Sequence, residues 1–314
     1  MGARLAFDRL VHSDWSLHPN KRWSAVAIRD SSEWSVESLG QTPAPDTFLS
    51  YLLDDDFKTL AGFDFAIGLP KVYLDKIEPD FLSLLSMLGH EPWHELALVA
   101  KFPSEVSIPR PFYPHCARRG VKRLELLNAL QLDPNEDMLR ECEKVTIHRG
   151  AASPLFWTLG AKQVGKAALS GWKDILVPAR KSGACIWPYD GALSSLTTNT
   201  LTIAETYPAE AYGHVEIDLR QSMSKKRQTD RRAAMSALRK RCNDYKIELC
   251  ENVRFNIDDG FGPDSSGEDP FDALAGLISM IEVSDGRRAE APNSIIFSKR
   301  SEGWILGQID LASA

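Results

Sequence analysis

The chain has 314 residues, 43% of them hydrophobic and 25% charged. A chain of this size and composition buries roughly 75% of its unfolded surface, which excludes disorder as its general state. Its 37 basic and 43 acidic residues leave a net charge of -6, so a histone-like coat is excluded and any nucleic-acid contact must use a local basic face. Five cysteines (Cys116, Cys142, Cys185, Cys242 and Cys250) are odd in number and lack a C-x-x-C pair, which argues against a disulfide scaffold or a thiolate zinc site and for reduced, intracellular thiols. Apolar stretches fall short of the ~18 residues of a membrane helix, and the opening residues lack the core of a signal peptide, so the expectation is a cytoplasmic protein with no membrane partner.

Three short strands are predicted between Phe7 and Leu39, with turns at His18 to Asn20 and Asp30 to Ser32, and an antiparallel meander is the simplest way to connect them. A helix follows, with Asp46 as its cap and Phe48, Leu49, Leu52 and Leu53 on one face. The segment LAGFDFAIGLP after the acidic run Asp54 to Asp56 reads as a buried central strand stopped by Gly-Leu-Pro. Residues 71 to 197 read as a largely helical insertion within one domain. Thereafter the pattern predicts a strand at Leu201 to Thr206, a basic helix at about 224 to 242, an apolar helix from near Pro270, and a final strand pair at Ser294 to Lys299 and Trp304 to Gln308.

Two motifs imitate known chemistry. His90-Glu91-Pro92-Trp93-His94 spells the zinc-binding H-E-x-x-H, but Pro92 belongs in a first helical turn and would leave His90 off the ligand face. Gly160 to Lys166 fits a phosphate loop up to its eighth position, where Ala167 replaces the hydroxyl that would bind magnesium. A P-loop-like NTPase is therefore a secondary alternative to a tight turn that packs closely.

Carboxylates carry the stronger signal. Asp14 ends the first strand, Asp64 interrupts an apolar strand between Phe63 and Phe65, Glu205 lies on the late strand, and Asp269 and Asp272 open the apolar helix. Asp269 and Asp272 also read as an N-cap and its capping-box partner, and Asp14 as a turn opener. Asp64 resists such a reading, because a charge in an apolar strand is costly unless a metal or a donor satisfies it.

This order of strands, acids and final helix resembles the ribonuclease H-like arrangement, and D-x-x-D-A-L at Asp269 is similar to the helix start of bacterial Holliday-junction resolvases. Through GFDFAIGLP, LGAKQVGKAALSGW, IWPYDG, ETYPAEAYG, KRQTDRR, GEDPFDALAGL and EGWILGQ, the chain resembles the DUF429 family of predicted ribonuclease H-like nucleases from about residue 62 to 308. The resemblance implies an α/β fold with a ribonuclease H-like mixed sheet. It also implies a metal-dependent nuclease site at Asp14, Asp64, Glu205, Asp269 and Asp272, with Mg2+ or Mn2+ held by Asp14, Asp64, Asp269 and Asp272. Trp15 departs from the pattern, since small residues are common after the first-strand acid. Phosphodiester hydrolysis by two such ions requires only converging carboxylates, which suits the poor histidine and cysteine patterns. The basic segment with Lys225, Lys226, Arg227, Arg231 and Arg232 is the expected nucleic-acid contact. The competing expectation is a non-catalytic or nucleotide-binding protein of the same fold.

Overall fold

The computed structural model describes residues 2–113, 123–133, 135, 138–158, 164–217, 223–295, 297–298 and 301–309. Among them, β1 (Arg9–Asp14), β2 (Trp23–Asp30), β3 (Glu33–Gln41), β4 (Thr59–Phe63), β5 (Cys185–Ile186), β6 (Leu201–Glu205) and β7 (Glu248–Leu249) form one mixed seven-stranded sheet, in the order β5-β6-β4-β1-β2-β3-β7. The first three strands are the expected antiparallel meander, with a bulge between Val26 and Ala27. The chain then returns through α1 (Pro45–Leu52) to set β4 parallel to β1, and β6 later joins β4, also in parallel. Asp46 lies within the first turn of α1, after Ala44 as N-cap, so it favours the helix through its charge at the positive end rather than as the cap.

The span from 71 to 197 is helical over α2 (Lys71–Leu74), α3 (Phe81–Ser86), α4 (Arg123–Ala129), α5 (Val164–Gly171), α6 (Val177–Lys181) and α7 (Leu193–Leu196), with a π-turn joining α5 to α6. Within that span β5 extends the sheet beside β6, so the insertion also supplies an edge strand. After β6 come α8 (Pro208–His214), α9 (Gln228–Asp244), α10 (Glu251–Asp259) and α11 (Glu268–Ser284). The final strand pair does not form as expected: Ile305 makes a single parallel bridge with Glu205, and Trp304 and Leu306 are buried around it. Ile296 and Lys299 of that expectation lie outside the described residues.

The sheet separates two cores. Val11, Ala61, Phe63 and Ile203 face α1 and the insertion, meeting Phe48, Leu52, Trp172 and Ile175. Leu10, Leu60 and Ala204 face the other way, against Phe271, Leu274, Ile278 and Ile281 of α11 and Met235 and Leu238 of α9. Helix α11 is buried from Pro270 to Ser284, as its nearly unbroken apolar run requires.

Among the described residues, neither lookalike motif shows the elements that its chemistry needs. Residues 90 to 97 are a series of turns in which His94 pairs with Glu91 at 3.1 Å. In the phosphate-loop lookalike, Gly160 to Gln163 lie outside the described residues, Leu155 and Phe156 form a turn where a strand is required, and Gly165 and Lys166 are already within α5. A Cβ at Gly165 would meet the Leu155 carbonyl oxygen at 2.4 Å, so close packing accounts for this glycine.

Gly276 of α11 lies against the buried imidazole of His12, and a Cβ there would sit 2.2 Å from Nε2. Alanine gains about 1 kcal/mol of helix propensity over glycine, but overpacking against a ring enclosed by sheet and helix costs about 1–3 kcal/mol or more. Gly276→Ala should therefore lower stability by roughly 1–2 kcal/mol in denaturant unfolding. An unchanged or raised midpoint would contradict this packing.

Candidate active site at the carboxyl ends of the central strands

Strand parity positions the site. On β1 and β4 the even-numbered Leu10, His12, Leu60 and Gly62 face α11, so Asp14 and Asp64, the next even positions, face it too. Ser13 is in register with Phe63, and the Asp64 amide donates to the Ser13 carbonyl at 3.0 Å, which brings the two aspartates side by side at the ends of parallel strands. Helix α11 begins at Glu268 with Gly267 as N-cap. Asp269 and Asp272 are thus within the helix, three residues apart on one face, and the capping reading of this pair does not hold.

The four carboxylates feel one another. Asp14 is held well above the ordinary aspartate range, first by desolvation and then by the charges of Asp272, Asp64 and Asp269. Asp64 is pushed up to about 7 by desolvation and then by Asp272, and it shares a hydrogen bond with Asp14. Asp269, half-buried at the rim, is raised by desolvation and by Asp272. His12 lies behind the cluster with its imidazole lowered to about 3, chiefly by burial, and so remains neutral.

Two groups act on Asp272 directly. The Tyr212 hydroxyl donates to its Oδ1, and Lys225 Nζ pairs with its Oδ2. Burial disfavours the charge of Lys225, but Asp272, Asp14 and Asp64 outweigh that effect and hold the ammonium well above its ordinary range. Lys225 is therefore the counter-cation of the cluster, which corrects its reading as a residue of an open nucleic-acid face.

Most of the remaining basic segment is committed as well. Arg231 is fully buried and donates to the carbonyls of Gly260 at 2.9 Å, Gly262 at 2.7 Å and Lys225. This corrects its reading as a substrate contact: it ties the Lys225 loop to the turn that leads into α11. Arg227 pairs with Asp230 at 2.6 Å, Arg232 lies 3.9 Å from the Asp259 carboxylate, and Arg239 pairs with Asp258. Lys226 and Arg232 are exposed, but α9 as a whole is a paired surface and not a free cationic stripe.

Glu205 belongs to the opposite face of the sheet. As an odd position after Leu201 and Ile203 it points toward the insertion, where Arg140 grips it through two contacts of 2.6 and 2.7 Å and the Ile67 amide donates to it at 2.6 Å. The same fully buried guanidinium also reaches Glu143 at 2.9 Å. The structure thus sets Asp14, Asp64, Asp269 and Asp272 within electrostatic reach of one another and assigns Glu205 to a separate ionic lock.

A cavity of about 330 Å³ opens beside Asp64 on this insertion face. Trp15, Phe65 and Tyr207 form its aromatic wall, while Asp64, Arg140, Glu143 and Glu205 form its polar one. Tyr207, Tyr212, Arg140 and Trp15 were not among the sequence-predicted site residues. Both tyrosines lie in the quoted segment ETYPAEAYG, where an aromatic hydroxyl beside a strand-end carboxylate was the available signal.

Whether a divalent cation fits turns on the donors. Among the described residues no three His, Cys, Asp or Glu side chains are drawn together as a ready ligand set. The cluster nevertheless offers four aspartates with hard oxygen donors, the type that Mg2+ and Mn2+ favour, and an excess of negative charge that Lys225 only partly offsets. A divalent cation held by these residues would have to displace protons and compete with Lys225. Among the described residues no helix is long and apolar enough to cross a membrane.

The raised Asp64 fixes the sign of a pH effect. An unperturbed aspartate titrates near 3.8 and Asp64 near 7, so between these values the folded chain holds the proton more tightly than the unfolded one. Stability must then fall as pH rises through that window. With divalent ions chelated, the wild type should lose more unfolding free energy between pH 5 and pH 8 than Asp64→Asn, and identical pH profiles would refute the crowding at Asp64.

Compared with protein-family models, with curated proteins and with solved structures, the chain finds no match in any of the three.

Proposed function

We propose that the chain is a metal-dependent hydrolase of nucleic-acid phosphodiester bonds with a ribonuclease H-like architecture. The observation that carries this reading is the meeting of Asp14, Asp64, Asp269 and Asp272, which come from β1, the end of β4 and α11. Such a gathering of like charges is unfavourable for folding alone, so its retention at the carboxyl ends of parallel strands favours a role in binding. The element order and the sequence resemblance to the DUF429 family support the same reading.

Asp14, Asp64 and Asp272 would hold the divalent cation, with Asp269 at the rim. The bound cation would neutralise charge on the phosphoryl oxygens and lower the pKa of water. The chain's own residues prepare for this: Tyr212 orients Asp272 by donating to Oδ1, and Lys225 keeps positive charge at Oδ2. Glu205 takes no direct part, because Arg140 and the Ile67 amide occupy its oxygens. Since α9 is largely paired within the chain and Lys225 is committed to Asp272, nucleic-acid contact is proposed only for the exposed Lys226 and Arg232.

The ion pair between Lys225 and Asp272 also favours a second reading, a non-catalytic protein in which the lysine permanently completes the cluster. Thermal unfolding with and without Mn2+ and cleavage of a labelled oligonucleotide separate the two. In the hydrolase, Mn2+ raises the wild-type midpoint by mass action, Lys225→Met raises it further, and Asp64→Asn and Asp272→Asn lower cleavage on the order of a hundredfold or more. A wild type and Lys225→Met that both ignore Mn2+ would leave only the non-catalytic reading.

A further inference from the structure

The cavity beside Asp64 has a character that the hydrolase reading does not use. Its aromatic wall of Trp15, Phe65 and Tyr207 suits a flat ring, and aromatic faces stack on nucleobases without regard to sequence. Arg22 lies 3.9 Å over the Trp15 ring and Trp15 Nε1 meets Ser170 Oγ at 3.4 Å, so the indole is held in place. At about 330 Å³ the space is at the small end of ligand sites, enough for a base and not for an oligonucleotide.

The charges select among flat ligands. Asp64, Glu143 and Glu205 face one guanidinium, Arg140, whose hydrogen bonds are already directed at Glu143 and Glu205. A lining with more carboxylates than cations repels phosphate and other anions. Each carboxylate oxygen has two lone pairs, so Glu143 and Glu205 can still accept a hydrogen bond beside their contacts to Arg140, and the lining rewards a ligand whose edge carries an amino group.

We propose that this cavity is a nucleobase subsite, which seats a base bearing an exocyclic amine while the adjoining phosphate lies at the aspartate cluster. The assignment rests on the phosphodiester-hydrolase reading for the identity of the ligand, and Asp64 joins the two compartments because it borders both. Cytosine, adenine and guanine meet the requirement. Thymine and uracil, which present carbonyl oxygens where the amines would be, do not.

The test uses the full chain, with divalent ions chelated, and free cytidine, adenosine, thymidine and uridine as probes, followed by tryptophan fluorescence and calorimetry. Adenosine and cytidine should bind about tenfold or more tightly than thymidine and uridine, as a lost hydrogen bond to a buried acceptor implies, and inorganic phosphate should not compete. Ala151→Phe, at an exposed position on the rim, and Ala167→Phe, on α5, fill the space and should each weaken adenosine binding about tenfold or more. The first of these leaves the core untouched, so misfolding of the second does not decide the result. Equal affinity for all four nucleosides, binding that both phenylalanine variants retain, or no nucleoside binding in a wild type that cleaves oligonucleotides would overturn the subsite. Amine-selective binding blocked by Ala151→Phe in a chain that never cleaves would uphold the subsite and overturn the hydrolase reading.

Discussion

The mutual repulsion of Asp14, Asp64, Asp269 and Asp272 is the constraint on which the rest of this molecule turns. Each aspartate alone would be an ordinary strand-end or helix-start residue. Brought together in a poorly solvated corner, Asp14, Asp64 and Asp269 have their proton affinity raised by burial and by the neighbouring charges, Asp272 among them, and the fold must compensate. It does so at Asp272 with one lysine and one tyrosine hydroxyl. Neither forms an inert apolar seal.

The compensation has its own support. Lys225 reaches Asp272 because its backbone carbonyl is held by Arg231, and the same guanidinium holds the Gly260 and Gly262 carbonyls in the turn before α11. A single buried arginine thus couples the position of the counter-cation to the start of the helix that carries Asp269 and Asp272. Removing a buried donor of this kind leaves several carbonyls without a partner, so its effect extends beyond one contact.

Much of the scaffold was legible in the sequence. Alternation gave β1 to β3 as a meander, and an aspartate between two phenylalanines in an apolar run identified Asp64 as a charge that needed a partner. What was not legible follows from facing and from long-range pairing. Glu205 was grouped with the aspartates as an acid on the late strand and through the family resemblance, yet its odd parity after Leu201 and Ile203 assigns it to the other face, a distinction available from the same alternation. Arg231 was counted as a surface cation with its neighbours. Its spacing to Ala234, Met235, Leu238 and Cys242 continues the buried stripe of α9, so helical periodicity held the correction. The pairing of Lys225 with Asp272 spans 47 residues and leaves no local trace, and the Arg140 lock on Glu205 spans 65.

The division of acids between the two faces of the sheet has a chemical consequence. A carboxylate gripped through both oxygens by a buried guanidinium, as Glu205 is, has its lone pairs directed and its charge matched, and withdrawing it from that pair to ligate an ion would leave Arg140 buried and unpaired. Among the described residues no guanidinium grips the aspartates on the α11 face in this way: Asp272 pairs with Lys225 and accepts from the Tyr212 hydroxyl. In the proposed reading, ion binding would therefore fall to the α11 face, and shape and hydrogen-bond selection to the insertion face. Asp64 borders both because β4 ends one residue earlier, where the chain bends from the sheet into the cavity wall. Under the two proposals together, a ligand with a negatively charged centre and a flat, hydrogen-bond-donating appendage would satisfy both compartments at once, which neither a bare phosphate nor a bare ring could do.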